Sequence, residues 1–294
     1  MAGKRPERFA LRLIGFILCA ILTAAAVAAA VWIGAARRAE LQRLELQQQH
    51  LEELRAQQTD IPSPTPAPTE TPGTDETPAE SLQPARIEYE ILPEYRRMLE
   101  ENGDLIGWLR IEDTVVDYPV MQTPEDEEYY LTRGFDREPN ANGCLILDTD
   151  SEAGVGTAAC DYADGEPPST NLIIHGHTMR SGAMFGDLAA YADPDYMAEH
   201  SVICFDSLYE HRQYEVIAVF RSQVYETDDD VFKYYDFFQA DTPEQFSDWY
   251  DSIRALSLYD TGVTAQFGDE FITLSCCAYH TEDGRFVVVG KRIV

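Results

Sequence analysis

From Trp108 to the C-terminus, short apolar segments rich in β-branched residues recur, and turn residues separate them. The segments read WLRI, VVDYPVM, CLILD, NLIIHGH, SVICF, YEVIAVF, EFITLSCC and RFVVVGKRIV. Runs of this length, bounded by Gly, Pro, Asn, Asp or Ser, are typical of β-strands. Their number and spacing predict a mainly β fold, a largely antiparallel barrel or sandwich.

Two helices are predicted beside these strands. Residues 89–102 place three apolar side chains on one face, which predicts an N-terminal helix. Residues 242–258 begin with Thr242-Pro243 and carry apolar residues at helical spacing, which predicts a helix inserted between two late strands.

The N-terminal part predicts a membrane anchor on a stalk. A basic tail, 1–12, precedes an uncharged run, 13–36, which at about 1.5 Å per residue can cross a hydrocarbon core of about 30 Å. We expect an uncleaved signal anchor with a cytoplasmic N-terminus, although the Ala-rich end leaves cleavage open. A juxtamembrane helix, 37–60, and a Pro/Thr-rich disordered linker, 61–85, then lead to a globular domain, 86–294.

The strongly acidic composition argues against nucleic acid as a partner. The chain has 22 Lys+Arg against 52 Asp+Glu, a formal net charge of −30. Such a surface repels phosphate backbones, so nucleic acid is not a predicted partner. The cysteines form no Cys-x-x-Cys pair, which indicates neither a zinc knuckle nor a disulfide scaffold.

The pattern with the clearest chemical meaning lies near the C-terminus. The apolar run from Phe271 ends in Cys276-Cys277, and Arg285 opens the next apolar run. A hairpin of these two strands would place a thiol beside a guanidinium, which lowers a thiol pKa and can bind a developing oxyanion. Cys277 ends the strand beside the turn, where a thiol can be exposed, so it is the candidate nucleophile. Because adjacent strand residues point to opposite faces, we then expect Cys276 to face inward.

Two histidines end another predicted strand, as His175-Gly-His177. Either could carry protons for a cysteine nucleophile. The His-x-His spacing could also ligate a metal, but the sequence offers no third ligand at convincing spacing, so no metal site is predicted.

These segments resemble a known family. NLIIHGHTMRSGAMFGDL, TLSCC and Arg285 resemble the sortases, the cysteine transpeptidases of Gram-positive cell surfaces, whose signature is Thr-Leu-x-Thr-Cys followed by a strand-opening Arg. The resemblance extends over residues 87–294. NGDLIGWLRIEDTVVDYPVMQ and the inserted helix resemble the class B subgroup in particular.

The resemblance implies three catalytic residues: Cys277 as nucleophile, His177 as proton carrier and Arg285 as oxyanion donor. His175 stands where relatives often carry Tyr and Cys276 where the family usually has Thr, so neither is expected to act. Ser275 and Thr273 lie beside the site and are weaker candidates for substrate contacts.

It further implies cleavage of a sorting signal at a Thr–x bond through a thioacyl intermediate, with transfer to an amine of a peptidoglycan precursor or a pilin. No cofactor is expected. The enzyme would be a single-pass protein of the cell membrane, in contact with lipid through 13–36, with its catalytic domain extracellular. Two alternatives remain: a cysteine peptidase or thioesterase that uses water, and a non-catalytic surface-binding barrel.

Overall fold

The structure, a computed structural model, describes residues 5–56, 89–158, 167–278 and 281–294. Within the first range, the side chains of residues 5–27, 40 and 55 are not described. The chain divides into two compact units, Met1–Glu53 and Leu54–Val294.

The N-terminal unit is formed by one long helix, α1 (Arg5–Ala56), whose last three residues are counted with the second unit. None of the helices in the described part of the chain combines the length and the apolar composition needed to span a bilayer. Side chains are not described for the whole of the predicted tail, 1–12, or for most of the predicted anchor, 13–36, and the predicted linker, 61–85, lies outside the described residues. The anchor therefore stays a prediction.

The second unit is a closed barrel of eight strands, which confirms the predicted mainly β fold. Around the barrel the strands follow the order β1-β2-β3-β4-β7-β8-β6-β5. Two neighbouring pairs are parallel, β2–β3 and β4–β7, and the others are antiparallel. The strands are β1 (Leu105–Ile111), β2 (Asp117–Met121), β3 (Leu145–Leu147), β4 (Asn171–Gly176), β5 (Val202–Ser207), β6 (His211–Gln223), β7 (Phe271–Cys277) and β8 (Gly284–Arg292).

Three helices accompany the barrel in the described residues: α2 (Pro93–Glu101), α3 (Pro194–Glu199) and α4 (Pro243–Leu256). Helix α2 is shorter than the predicted 89–102, because Leu92 has a non-helical φ of −50° and ψ of 130° and Pro93 takes the first turn. Helix α4 matches the predicted insertion between β6 and β7. Its start is a capping box between Thr242 and Gln245.

Strand alternation divides the barrel into an interior and an outer layer. In β7, Ile272 and Leu274 pack inside the barrel, whereas Phe271 faces outward. The outer layer is covered by α4, whose buried side chains include Trp249 and Ile253. Each such side chain contributes about 1.5–3 kcal/mol of hydrophobic stabilisation when fully buried. Helix α4 thus fixes the outer face of β6, β7 and β8.

Candidate active site

The end of β7 and the start of β8 bring Cys277 and Arg285 together. The two are direct partners in the antiparallel register. Residues in that relation point to the same face, with Cβ atoms about 4.5–5.5 Å apart. Cys277 is exposed, and the Ala278 N–H donates to the Gly284 carbonyl at 2.8 Å, which closes the hairpin. The thiol is therefore open to solvent on a fixed strand end.

Cys276 faces the barrel interior, as predicted. Its side chain is 2 % exposed and packs in the interior core. Burial raises the pKa of the Cys276 thiol to about 11. At neutral pH this sulfur is a small, protonated core atom and a poor nucleophile.

His177 reaches the same rim through the parallel pairing of β4 with β7. Gly176, the last residue of β4, is the register partner of Cys276, and strands in such a pair lie about 4.8 Å apart. His177 and Cys277 each follow by one residue. Just beyond, the Thr178 hydroxyl donates to the Cys277 carbonyl at 2.5 Å. The histidine and cysteine backbones are thus tied together across two strands.

Gly176 is required by close packing. A Cβ at this position would lie 2.5 Å from Cδ2 of Phe185 and 2.6 Å from Cδ2 of Leu145. Both neighbours are fully buried. Because contacts this short do not occur, a side chain at Gly176 would displace the strand end that carries His177.

A backbone carbonyl orients the His177 ring. His177 Nε2 lies 2.8 Å from the Leu131 oxygen. Because a carbonyl oxygen can only accept a hydrogen bond, Nε2 carries the proton, and Nδ1 is the nitrogen available for proton exchange with a thiol. Leu131 ends a short 3-10 helix, Tyr129–Leu131. Sequence analysis missed this contact, since a backbone acceptor has no residue signature.

Arg285 keeps part of its guanidinium unengaged. Its Nη1 donates to the carbonyls of Asp283 at 3.2 Å and Gly284 at 3.1 Å. Its Nε and Nη2 have no hydrogen-bond partner among the described residues. The side chain is partly buried, so its remaining N–H groups can meet a substrate oxygen beside Cys277.

Ser275 and Thr273, the weaker candidates for substrate contacts, are buried. Both are only 1 % exposed. The Ser275 hydroxyl lies 2.7 Å from the Tyr234 hydroxyl, and Thr273 donates to Asn171 Oδ1 at 2.8 Å. Both hydroxyls are engaged in hydrogen bonds beneath the outer layer. Ser275 lies two residues before Cys277 on β7, and Thr273 lies four residues before it.

His175 lies on β4 as the register partner of Ser275. Its Nε2 pairs with Asp148 Oδ2 at 3.1 Å. This ring nitrogen is paired with a carboxylate, whereas Nε2 of His177 is bonded to a backbone carbonyl. The assignment of His177 as the catalytic histidine stays a prediction.

An exposed thiol, an oriented imidazole and a guanidinium at one rim of a β-barrel define the class of cysteine acyl-transfer enzymes. No protein-family model matches the chain. Sortase B of Listeria monocytogenes is 32 % identical over 209 residues, which cover 69 % of this chain and 76 % of that protein. Sortase B of Staphylococcus aureus is 26 % identical over 205 residues, with the same two shares of 69 % and 76 %.

The solved structure of the Staphylococcus aureus sortase B–substrate complex matches with a TM-score of 0.57 and 25 % identity, over 69 % of this chain and 86 % of that one. The chain belongs to the class B sortases, and it is accordingly a cysteine transpeptidase.

Proposed function

We propose that this sortase is anchored in the cell membrane, cleaves a sorting signal at a Thr–x bond and transfers the acyl group to an amine of the cell wall or of a pilin. The observation that carries the proposal is the register of three strands. Cys277 lies opposite Arg285 on β8, and the β4 residue preceding His177 pairs with Cys276. One nucleophile, one proton carrier and one oxyanion donor therefore share a single rim.

In the first half-reaction, the Cys277 thiolate attacks the threonine carbonyl carbon, and a tetrahedral intermediate forms. Two N–H groups of Arg285 stabilise its oxyanion. The C–N bond then breaks, and protonated His177 gives its proton to the leaving amine. The product is a thioester between Cys277 and the threonine carbonyl.

In the second half-reaction, an amine attacks the thioester and His177 takes its proton. The C–S bond breaks, a new amide forms and the Cys277 thiolate returns. The hydrogen bond from His177 Nε2 to the Leu131 carbonyl (2.8 Å) supports both steps, because it holds the ring in one orientation and leaves Nδ1 as the nitrogen that exchanges protons.

Anchoring rests on the sequence. The uncharged run 13–36 follows basic residues 4, 5, 8 and 12, which favours a cytoplasmic N-terminus and an extracellular catalytic domain. Lipid contact through 13–36 would hold the barrel at the surface where sorting signals and wall amines meet. Fractionation of cells, followed by protease treatment of intact cells, tests this topology. An N-terminal tag degraded from outside would contradict it.

The activity is tested with a library of quenched fluorescent peptides that carry a Thr–x bond, incubated with the full chain with and without triglycine. We expect cleavage that Cys277→Ala abolishes, and a triglycine-ligated product by mass spectrometry. Hydrolysis alone, unchanged by any amine, would favour a peptidase. Activity that survives Cys277→Ala but not Cys276→Ala would overturn the nucleophile assignment.

The role of Arg285 is tested by Arg285→Lys, which keeps the charge and removes the planar donor fork. Loss of one oxyanion donor lowers the rate by about 10²–10³. A matched control is Arg221→Lys, because Arg221 is exposed on the neighbouring strand β6. Equal rates for the two variants would contradict a catalytic role for Arg285.

A further inference from the structure

Outside the catalytic residues, three metal-ligating side chains converge beside β4. Glu127, Asp148 and His175, here called the acid–histidine cluster, each offer one ligand atom, and these atoms lie within 4.8 Å of one another. The three residues are far apart in sequence, and His177 is not among them, so both partners of His175 come from other parts of the chain.

We propose that the acid–histidine cluster binds one divalent transition-metal ion of the Zn²⁺ type. The ligands would be Nε2 of His175 and one carboxylate oxygen each of Asp148 and Glu127, with water completing the coordination. Imidazole nitrogen and carboxylate oxygen are both ligand atoms that such ions accept, at about 2.0–2.2 Å.

Two of the three ligands are held in place before any ion arrives. His175 lies within β4, and its Cα pairs with Ile146 on β3 and Ser275 on β7. Asp148 follows β3, where its N–H donates to the Ile173 carbonyl at 2.9 Å. Its Oδ1 accepts the Asp150 N–H at 3.0 Å, which leaves Oδ2 for His175.

The spacing of these two atoms already suits a metal. Asp148 Oδ2 and His175 Nε2 are 3.1 Å apart. Two ligands about 2.1 Å from a tetrahedral ion lie about 3.4 Å from each other. An ion would replace the proton that His175 now shares with Asp148, and the imidazole proton would move to Nδ1.

Glu127 is the ligand whose side chain can move, and it lies on the solvent-exposed side of the cluster. It is exposed, just before the 3-10 helix Tyr129–Leu131, and among the described residues its carboxylate accepts a hydrogen bond from the Thr149 N–H alone, at a long 3.4 Å. The side chain can rotate to close the remaining gap. His175 and Asp148 are 30 % and 15 % exposed, so an ion can enter from solvent. The carboxylates of Glu127 and Asp148 lie within 4.8 Å of each other and repel each other, and a bound cation relieves that repulsion.

The choice of ion follows from the ligands. Ca²⁺ and Mg²⁺ prefer sites made of oxygen alone, whereas imidazole suits zinc and its neighbours. The net charge of −30 attracts all divalent cations weakly, so specific binding must depend on His175 and must favour Zn²⁺ over Ca²⁺.

A matched control exists in the same barrel. His211 also contacts two carboxylates, Glu94 at 3.2 Å and Asp206 at 3.0 Å. It does so through opposite ring nitrogens, Nε2 for Glu94 and Nδ1 for Asp206. No single ion can bridge both contacts, so His211→Gln should leave zinc binding unchanged.

The experiment is calorimetric titration of the full chain with ZnCl₂, in a Cys277→Ser background that removes the exposed thiol as a competing ligand. We expect one Zn²⁺ site per chain that Glu127→Gln and His175→Gln each weaken by at least tenfold. Melting in the absence of metal verifies that Glu127→Gln, an exposed change, leaves the fold intact. Zinc should raise the melting temperature of the His211→Gln protein and not that of the cluster variants.

Three results of the zinc titrations would overturn the proposal, and a fourth would come from cobalt. They are unchanged zinc affinity in both cluster variants, an equal loss in His211→Gln, and Ca²⁺ binding as tight as that of Zn²⁺. A Co²⁺ titration adds a spectroscopic readout, because a nitrogen and oxygen site gives visible d–d bands without the thiolate charge-transfer band. A thiolate band in the Cys277→Ser protein would place the ion on another cysteine and also refute the assignment.

Discussion

The adjacent cysteines at the end of β7 allow the nucleophile to be identified by alkylation. Burial raises the pKa of Cys276 to about 11, so at pH 7 about one molecule in 10⁴ carries its thiolate. An ordinary free thiol, with a pKa of about 8.5, is ionised in about 3 % of molecules. Cys276 should therefore react about 300-fold more slowly than an ordinary thiol, and its 2 % exposure slows it further.

The assay compares Cys276→Ala with Cys277→Ala under iodoacetamide at pH 7, with mass spectrometry of the β7 peptide over time. The Cys276→Ala protein should be labelled rapidly and lose transpeptidation at the same rate. The Cys277→Ala protein should stay unlabelled until denaturant is added. Cys276→Ala removes one buried sulfur, at a cost of about 1 kcal/mol in unfolding free energy. Rapid labelling of the folded Cys277→Ala protein would refute the inward orientation of Cys276.

Further predictions concern the supports of the site. Gly176→Ala forces a Cβ to within 2.5 Å of a buried ring, so it should lower the free energy of unfolding in urea by about 1–3 kcal/mol and abolish most of the activity. The control is Gly103→Ala, which has open space at its Cβ and should leave activity unchanged. Equal effects of the two variants would contradict the packing argument. Thr242→Ala breaks the capping box of α4 and should lower stability by about 1 kcal/mol in thermal melts; no change would mean that the cap is redundant. Tyr234→Phe removes the 2.7 Å hydrogen bond to Ser275 and should cost about 0.5–1.5 kcal/mol in the same melts, and a neutral result would show that Ser275 finds another partner.

Local patterns predicted the elements of this protein well. The β-branched runs correspond to barrel strands, and Thr242-Pro243 marks the start of α4, because turn residues and helix caps act over a few positions. The opposite orientations of Cys276 and Cys277 also follow from the two-residue period of a strand.

Long-range pairing was not predictable in the same way. The parallel register of β4 with β7 joins segments about 100 residues apart, and no local pattern specifies which strands become neighbours. The Leu131 carbonyl that orients His177 is a backbone group, which every residue possesses. The approach of Glu127 to Asp148 and His175 likewise depends on the closed barrel and not on sequence spacing.

Closure of the barrel has a consequence for how peptides are recognised. Each of the eight described strands has a neighbour on both sides, so the sheet has no edge strand of the kind to which an incoming chain is usually added. We expect a bound peptide to be recognised instead by side chains and by the backbone of loops near β4, β7 and β8. Selectivity in this enzyme should therefore change with loop substitutions while the hydrogen-bonded framework stays the same.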